Sequence, residues 1–424
     1  MKYLYSSVLA LTMATTIPQM SAAEDVVYSG WLGTYSYLEP VAGKMEEKFE
    51  ANNPGVDFIR QDVPFEKALD QATVAHLGGN ASDLIHLIPG WVPALQAIGG
   101  LAPLDDLFTD EELAQIPDAA LEALRFEDGK LYALPWVPGP VMMFYNRNLL
   151  EQAGFDPDKP PTTWDELKEM IMGVCALPAG DDGKIYGLAL RSWSNPNAVQ
   201  WSIPWIYGFG GDVVDGDGNI KFNTPETRAA YSWLQDISTS GCAPDGFSVG
   251  ETRNLMASGK AGFILEGPWG RGLFNNLSEN TIKTGADGDI WVAPLPNAPD
   301  GSHRTIGNSH VIAISSASKN KELAAEFVKL ILFDQDITDT YFELSDQVST
   351  PSAALLAQGP MGADEFTQKF VEELQVYNES PIKHPKFYAI LDQVVPEYQR
   401  ILKGADIESS LETADKQIER LLSR

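Results

Sequence analysis

This chain lacks long uninterrupted apolar runs, histidine clusters and glycine-rich phosphate loops, and it is short of cysteine and of positive charge. Each shortage excludes something. A membrane-crossing helix needs about 18 or more consecutive apolar residues. The N-terminal run is cut short by Thr15, Thr16, Pro18 and Gln19. The five histidines, at 76, 86, 303, 310 and 384, show no metal-ligand spacing, and no Walker or dinucleotide fingerprint occurs. Lys and Arg number 30 against 59 acids, a formal charge of −29, which repels phosphate backbones and argues against nucleic acid as a partner. Screening in a salty medium would relieve that self-repulsion. The two cysteines, Cys175 and Cys242, could pair in an oxidising compartment or remain free thiols; spacing alone leaves both open.

What is present begins with an export signal. Lys2 supplies a positive start, VLALTMA an apolar stretch, and Ser21-Ala22-Ala23 a small-residue cleavage site. No Cys follows the apolar stretch to take a lipid anchor. The expectation is a protein exported to the periplasm, with a signal peptide over 1–23 cleaved near Ala23. Its removal takes away one Lys and no acid, moving the charge from −29 to −30.

At 424 residues the chain is too long for one ordinary core, and two lobes are expected. VVYSGWL, VDFIRQDV and DLIHLI read as strands, separated by helical stretches at about 37–51 and 65–77. That alternation is βαβ-like and implies a mainly parallel sheet covered on both faces. A second α/β unit follows. In PTTWDELKEMIMGVCAL, Thr163 and Glu166 form a capping box ahead of an apolar face. TPETRAAYSWLQDIS opens with Thr224 as cap and Pro225 in the first helical position. KIYGLAL, KAGFILEG, IWVAPLP and HVIAIS are strands, and the last helix, about Ile407–Leu422, carries a Leu411, Ala414, Ile418, Leu421 stripe that suits core packing. No repeat, low-complexity tract or long linker interrupts this order.

Two motifs suggest chemistry and are better read as local structure. GFSVG at 246–250 matches a nucleophile elbow, but that device needs a buried strand before the Ser, and SGCAPD is a loop. DGDGN at 215–219 has the alternating acids of a calcium loop and, counted from Asp215, Glu226 at the twelfth position. Ile220 stands where the sixth requires Gly, so a hairpin turn is favoured. Paired carboxylates for glycoside hydrolysis stay open among so many acids. Aromatic placement stands out instead. Trp31, Trp91, Trp136, Trp201 and Trp269 lie at strand ends or in loops beside Gly, Pro, Asn and Ser, whereas Trp164 and Trp233 sit on helical faces and read as core. Sugar C–H faces stack on such rings while their hydroxyls take polar partners.

Four segments then carry a resemblance: SDLIHLIPGWVPALQAIGGLAPLDDLF, DGKLYALPWVPGPVMMFYNRNLLEQAGFDPDKPPTTWDEL, GKAGFILEGPWG and ASKNKELAAEFVKLIL. In that order the chain resembles the extracellular solute-binding proteins of ABC importers, in the maltose- and trehalose-binding branch, over nearly all of its length after the signal. The resemblance implies an α/β fold of the two-lobed periplasmic-binding-protein kind (type II-like), mainly parallel sheets flanked by helices and a three-segment hinge. Lobe 1 is expected over 24–134 with 294–335, and lobe 2 over 135–293 with 336–424. Crossings are expected near Ala133–Pro138, Ile290–Pro296 and Phe333–Ser345. Carried over residue by residue, ligand contacts fall on Trp31, Tyr35, His86, Trp91, Trp136, Trp201, Trp269, Arg271, Asn308, His310, Phe387 and Tyr388. Leu87 and Ile88 depart from the family, which often has an acid or an aromatic there, and GNSH replaces a frequent Gly-Gly. The implied function is the periplasmic substrate-binding component of a sugar importer. It would act as a monomer without cofactor or catalytic residue, closing on a mono- or oligosaccharide and delivering it to a membrane permease. The alternatives are a polyol or glycerol phosphate ligand on the same fold, or a secreted glycosidase.

Overall fold

The computed structural model describes residues 24–36, 38–179, 183–374, 376–378 and 381–423. The expected signal peptide lies outside them. Among the described residues no helix is long and apolar enough to cross a membrane. Eleven strands occur among these residues: β1 Glu24–Gly30, β2 Val56–Asp62, β3 Leu84–Leu87, β4 Leu134–Val137, β5 Met142–Asn146, β6 Tyr186–Leu188, β7 Ala261–Glu266, β8 Ile290–Ala293, β9 Thr305–Ile306, β10 His310–Ile314 and β11 Tyr377–Asn378. They build a five-stranded sheet ordered β2-β1-β3-β10-β4 and a four-stranded sheet ordered β6-β7-β5-β8, with β9 and β11 as a short parallel pair. Helices pack on both sheets, so the architecture is α/β, and the buried apolar residues of the two sheets join in one continuous cluster.

The expectation of mainly parallel sheets needs correction. β1 pairs in parallel with β2 and β3, and β6 with β7, but β10 runs antiparallel to β3 and β4, and β5 antiparallel to β7 and β8. The reason is connectivity. A strand reached through a covering helix comes in parallel to its neighbour. β5 and β10 are entered directly from the other sheet, so they start at the edge where the parallel strands end and run the opposite way.

These direct crossings explain the proline-rich stretch 133–146. The chain leaves the first sheet at Val137 and joins the second at Met142. Pro138 and Pro140 have fixed φ and no N–H to leave unpaired. Between them Gly139 donates to Ser309 Oγ (2.8 Å) and accepts from the Asn308 amide (2.9 Å), and the Val141 amide donates to the Ile306 carbonyl (3.0 Å). The outgoing segment is thereby zipped to the returning one, which runs from the end of β8 to the start of β10.

Two lobe divides expected from sequence cut through packed elements. β4 pairs within the first sheet. The helix Gln335–Ser345 packs on the helix Glu39–Asn52, joined by Lys44–Asp336 (2.6 Å) and Lys48–Asp334 (2.6 Å) ion pairs at its start. Residues 135–137 and 336–345 therefore sit with the first sheet.

Local signals in the sequence take their expected forms. Thr163 and Glu166 cap the helix Trp164–Cys175 reciprocally, and Thr224 caps Pro225–Thr239 with Pro225 in its first turn. Such caps are worth about 1 kcal/mol each. Asp215 accepts from the amides of Asp217 and Asn219, closing a hairpin turn flanked by the Val214–Ile220 bridge. Leu411, Ala414 and Ile418 are buried in the last helix, Ile407–Leu422, while Leu421 is only partly covered. Cys175 and Cys242 are disulfide-bonded, with Cα atoms 5.3 Å apart, and tie the end of the helix Trp164–Cys175 to the loop after Pro225–Thr239.

Candidate ligand-binding site

Open α/β sheets bind ligands beyond the carboxyl ends of their parallel strands. Here the ends of β1 and β3 in one sheet and of β6 and β7 in the other lie beside the zipped crossings, and side chains from these ends form two clusters.

The first cluster is aromatic. Trp31, just after β1, stacks on His86 of β3 with ring centroids 3.6 Å apart, and it meets Phe65, Trp91 and His310 edge-on at 5.2, 5.9 and 5.2 Å. Trp136 lies beyond His86, at 4.9 Å. Trp31 is 2% exposed and Trp136 1%, so neither offers a free ring face. Their packing supports the strand ends instead. Tyr28 shares a hydrogen bond with His86 Nδ1 at 2.8 Å, which leaves His86 Nε2 without a partner among the described residues, as are Trp136 Nε1 and His310 Nδ1. Burial pushes the His86 imidazolium well below its usual range, and His310 adds to that. Burial alone brings His310 down to about 4. Both rings are therefore neutral at physiological pH and able to donate or accept. Phe387 is packed under Gly90, and burial pushes the Tyr388 hydroxyl up to about 12, with Trp91 nearby drawing it back. Tyr35 is the most open of this set, at 42% exposure.

The second cluster is charged. Glu266 ends β7 with no exposed surface and accepts from Arg253 Nε (2.8 Å) and Nη2 (3.1 Å), from Arg191 and from Trp269 Nε1. Burial alone would raise its pKa, but Arg253 first and then Arg191 outweigh burial and hold the carboxyl below its ordinary value. Arg191, three residues beyond the end of β6, lies over the Trp201 ring with its guanidinium carbon 3.4 Å from the ring centroid. Desolvation draws it down to about 9 against the pull of Glu266, so it stays cationic at neutral pH. Trp201 is buried beneath that guanidinium, next to a small void lined also by Leu190, Trp205 and Leu265. Trp269 alone among the five indoles expected at the site is partly exposed. Its ring rests on Gly139, where a Cβ would come within 2.8 Å of Cζ3. Trp269 thus stands over the crossing, between the two clusters.

Sequence-expected residues divide accordingly. Trp31, His86, Trp91, Trp136 and His310 come together, with the helix start that carries Phe387 and Tyr388 against the Pro89–Trp91 turn; Trp201 and Trp269 flank the charged cluster, and Asn308 lies on the returning crossing. Arg271 is turned elsewhere. It binds both carboxylate oxygens of Asp364 at 2.8 Å and Asp346 at 3.2 Å, with its guanidinium 4.5 Å from the Phe366 ring centroid, and so clamps the helices that follow residue 335. Glu266 and Arg253 were not singled out from sequence. A signal existed for Glu266: a charged residue closing GFILE, an otherwise apolar strand, must find partners when the strand is buried. Arg253 gives no such sign, because nothing in ETRNLMASGK marks its direction. Ser248 of the GFSVG motif is a helix cap, accepting from the Glu251 amide while Glu251 accepts from the Ser248 amide.

A putative binding protein of Brucella abortus is 28% identical over 337 residues, spanning 78% of this chain and 75% of the relative. The maltodextrin-binding protein MdxE of Bacillus subtilis is 24% identical over 367 residues, 82% of this chain and 78% of its own. Among solved structures, an ABC transporter solute-binding protein of Thermotoga lettingae, bound with α-D-tagatose, superposes with a TM-score of 0.78 at 22% identity over 95% of this chain and all of that one. The family model for bacterial extracellular solute-binding proteins matches residues 22–336. The chain belongs to the bacterial extracellular solute-binding proteins.

Proposed function

We propose that this protein is the substrate-binding component of an ABC sugar importer, capturing a mono- or oligosaccharide in the periplasm and delivering it to a membrane permease as a monomer. The observation that carries this reading is the placement of Trp269. A partly open indole stands over the crossing, with unspent imidazole nitrogens from one sheet and guanidiniums from the other around the same ends of the strands. Two of the relatives add support, being named for maltodextrin in one case and solved with α-D-tagatose in the other.

The two sheets act as lobes, residues 24–137 with 309–345 and 138–308 with 346–424, and hinge at the zipped crossings. Ligand shifts an open–closed equilibrium only by preferring the closed state. Its ring stacks on Trp269, its hydroxyls engage His310 and Asn308, and closure brings Tyr35 over it. No bond is made or broken.

Thermal-shift and Trp-fluorescence titrations against a saccharide panel test the reading. At a hundredfold excess over Kd a true ligand stabilises by about 2.7 kcal/mol. Trp269→Ala weakens binding at least tenfold, while the fold, judged by circular dichroism, is kept. A panel in which no saccharide raises the melting temperature refutes the proposal.

A further inference from the structure

The charged cluster holds an imbalance. Arg191 and Arg253 share one carboxylate, Glu266, and among the described residues no other carboxylate pairs with either guanidinium. The cluster therefore carries a net positive charge within a chain of formal charge −29. Arg253 spends Nε and Nη2 on Glu266 in a fork, which leaves Nη1 without a partner among the described residues. Its side chain is 25% exposed, where that of Arg191 is 4% exposed. Tyr35, just beyond β1 of the other sheet, lies within electrostatic reach of Arg253.

We propose that the saccharide taken by this cleft carries a carboxylate, as a hexuronate or an acidic oligosaccharide does, and that Arg253 receives it through Nη1. The inference rests on the saccharide reading above and narrows it. A guanidinium matches a carboxylate in plane and spacing. A neutral sugar leaves the surplus charge uncompensated when closure removes water, and desolvated unpaired charge is costly. A phosphate monoester, at about −1.5 to −2, overcompensates it. A single carboxylate brings the cluster to neutrality. Selectivity then comes from the cleft and not from the surface, whose acidity slows the approach of any anion and makes binding rise with ionic strength at long range.

The test is isothermal titration of the full mature chain, freed of bound ligand by unfolding and refolding, with D-galacturonate, trigalacturonate, D-galactose, maltotriose and glycerol 3-phosphate. At least one uronate is expected to bind tenfold or more tighter than every neutral sugar. Arg253→Gln is expected to lower uronate affinity at least tenfold and by at least tenfold more than it lowers neutral-sugar affinity, with Arg253→Lys intermediate. Because the wild-type comparison itself decides, a variant that fails to fold does not rescue the inference. If a neutral sugar binds as tightly as the uronates, the carboxylate inference is overturned and the saccharide reading stands. If glycerol 3-phosphate alone binds, or none of the five, both fall.

Discussion

Replacing Glu266 by Gln removes the anion that Arg191 and Arg253 share while keeping the side chain's size. The carboxylate has no exposed surface, and its nearer contacts are all charge-assisted hydrogen bonds. Two guanidiniums would then face a neutral amide in a dry site. Breaking a buried pair by removing one partner costs about 3–5 kcal/mol, the scale also expected for unit charges about 4 Å apart at an effective dielectric near 20. At roughly 2–4 °C per kcal/mol for a unit of this size, the melting temperature at pH 7 should drop by about 10 °C. The triple variant Glu266→Leu, Arg191→Met, Arg253→Met should be far milder, because replacing all the charges by apolar groups leaves none stranded. The pH dependence adds a sign. Glu266 has a folded pKa below its unfolded value, so its stabilisation is complete above the ordinary carboxylate range and is lost as pH falls through the folded value. The gap between wild type and Glu266→Gln should therefore be constant from pH 5 to 7 and narrow below pH 4. Calorimetric melts across that range measure it. A loss under 1 kcal/mol at pH 7, or a gap that widens on acidification, refutes the account of a desolvated cluster held by Glu266.

Three further outcomes follow from particular contacts. Cys175→Ser with Cys242→Ser should cost about 4 kcal/mol, from closing a loop with a sequence separation of 67 residues; an unchanged denaturation midpoint would contradict a formed disulfide. Gly139→Ala places a Cβ 2.8 Å from Trp269 Cζ3 and 3.0 Å from the Asn308 carbonyl oxygen. The indole must move, so a shifted Trp emission maximum and a loss of about 1–3 kcal/mol are expected, and an unaltered spectrum counts against the packing described. His310, drawn down to about 4, withholds a proton that the unfolded chain accepts near 6.5, so it contributes stability above pH 6.5 that drains away between 6.5 and 4. His310→Gln should make the wild-type stability profile shallower over that interval, with the share of His86 remaining, as read by urea unfolding at half-unit pH steps.

Much of the fold is legible because it is encoded locally. Thr163 with Glu166, Thr224 with Pro225 and the Asp215 turn declare themselves within four residues, since capping and turn hydrogen bonds are short-range. Strand positions follow from apolar runs that must be covered. The direction of β5 and β10 is not local: HVIAI and MMFYN read the same whether a neighbour runs with them or against them, and only the route of the crossing decides. The site divides the same way. Aromatic side chains at strand ends mark where a site is, but ring burial depends on neighbours that arrive from far along the chain, as His86 does over Trp31. Arg271, two residues from Trp269, shows the cost of adjacency as a guide. Two steps along a helix turn a side chain through about 200°, here away from Glu266 and toward Asp364.

What this sequence determined by itself is an acidic chain with two α/β units, helix caps, turns, a family resemblance and a set of aromatic strand ends, because composition, periodicity and short-range hydrogen bonding are properties of neighbouring residues. Tertiary structure alone decided that two arginines 62 residues apart in number converge on the carboxylate at the end of β7, that Trp31 and Trp136 are packing while Trp269 is open, and that Cys175 meets Cys242. Those facts depend on which distant surfaces exclude water from each other, and no local pattern carries that information.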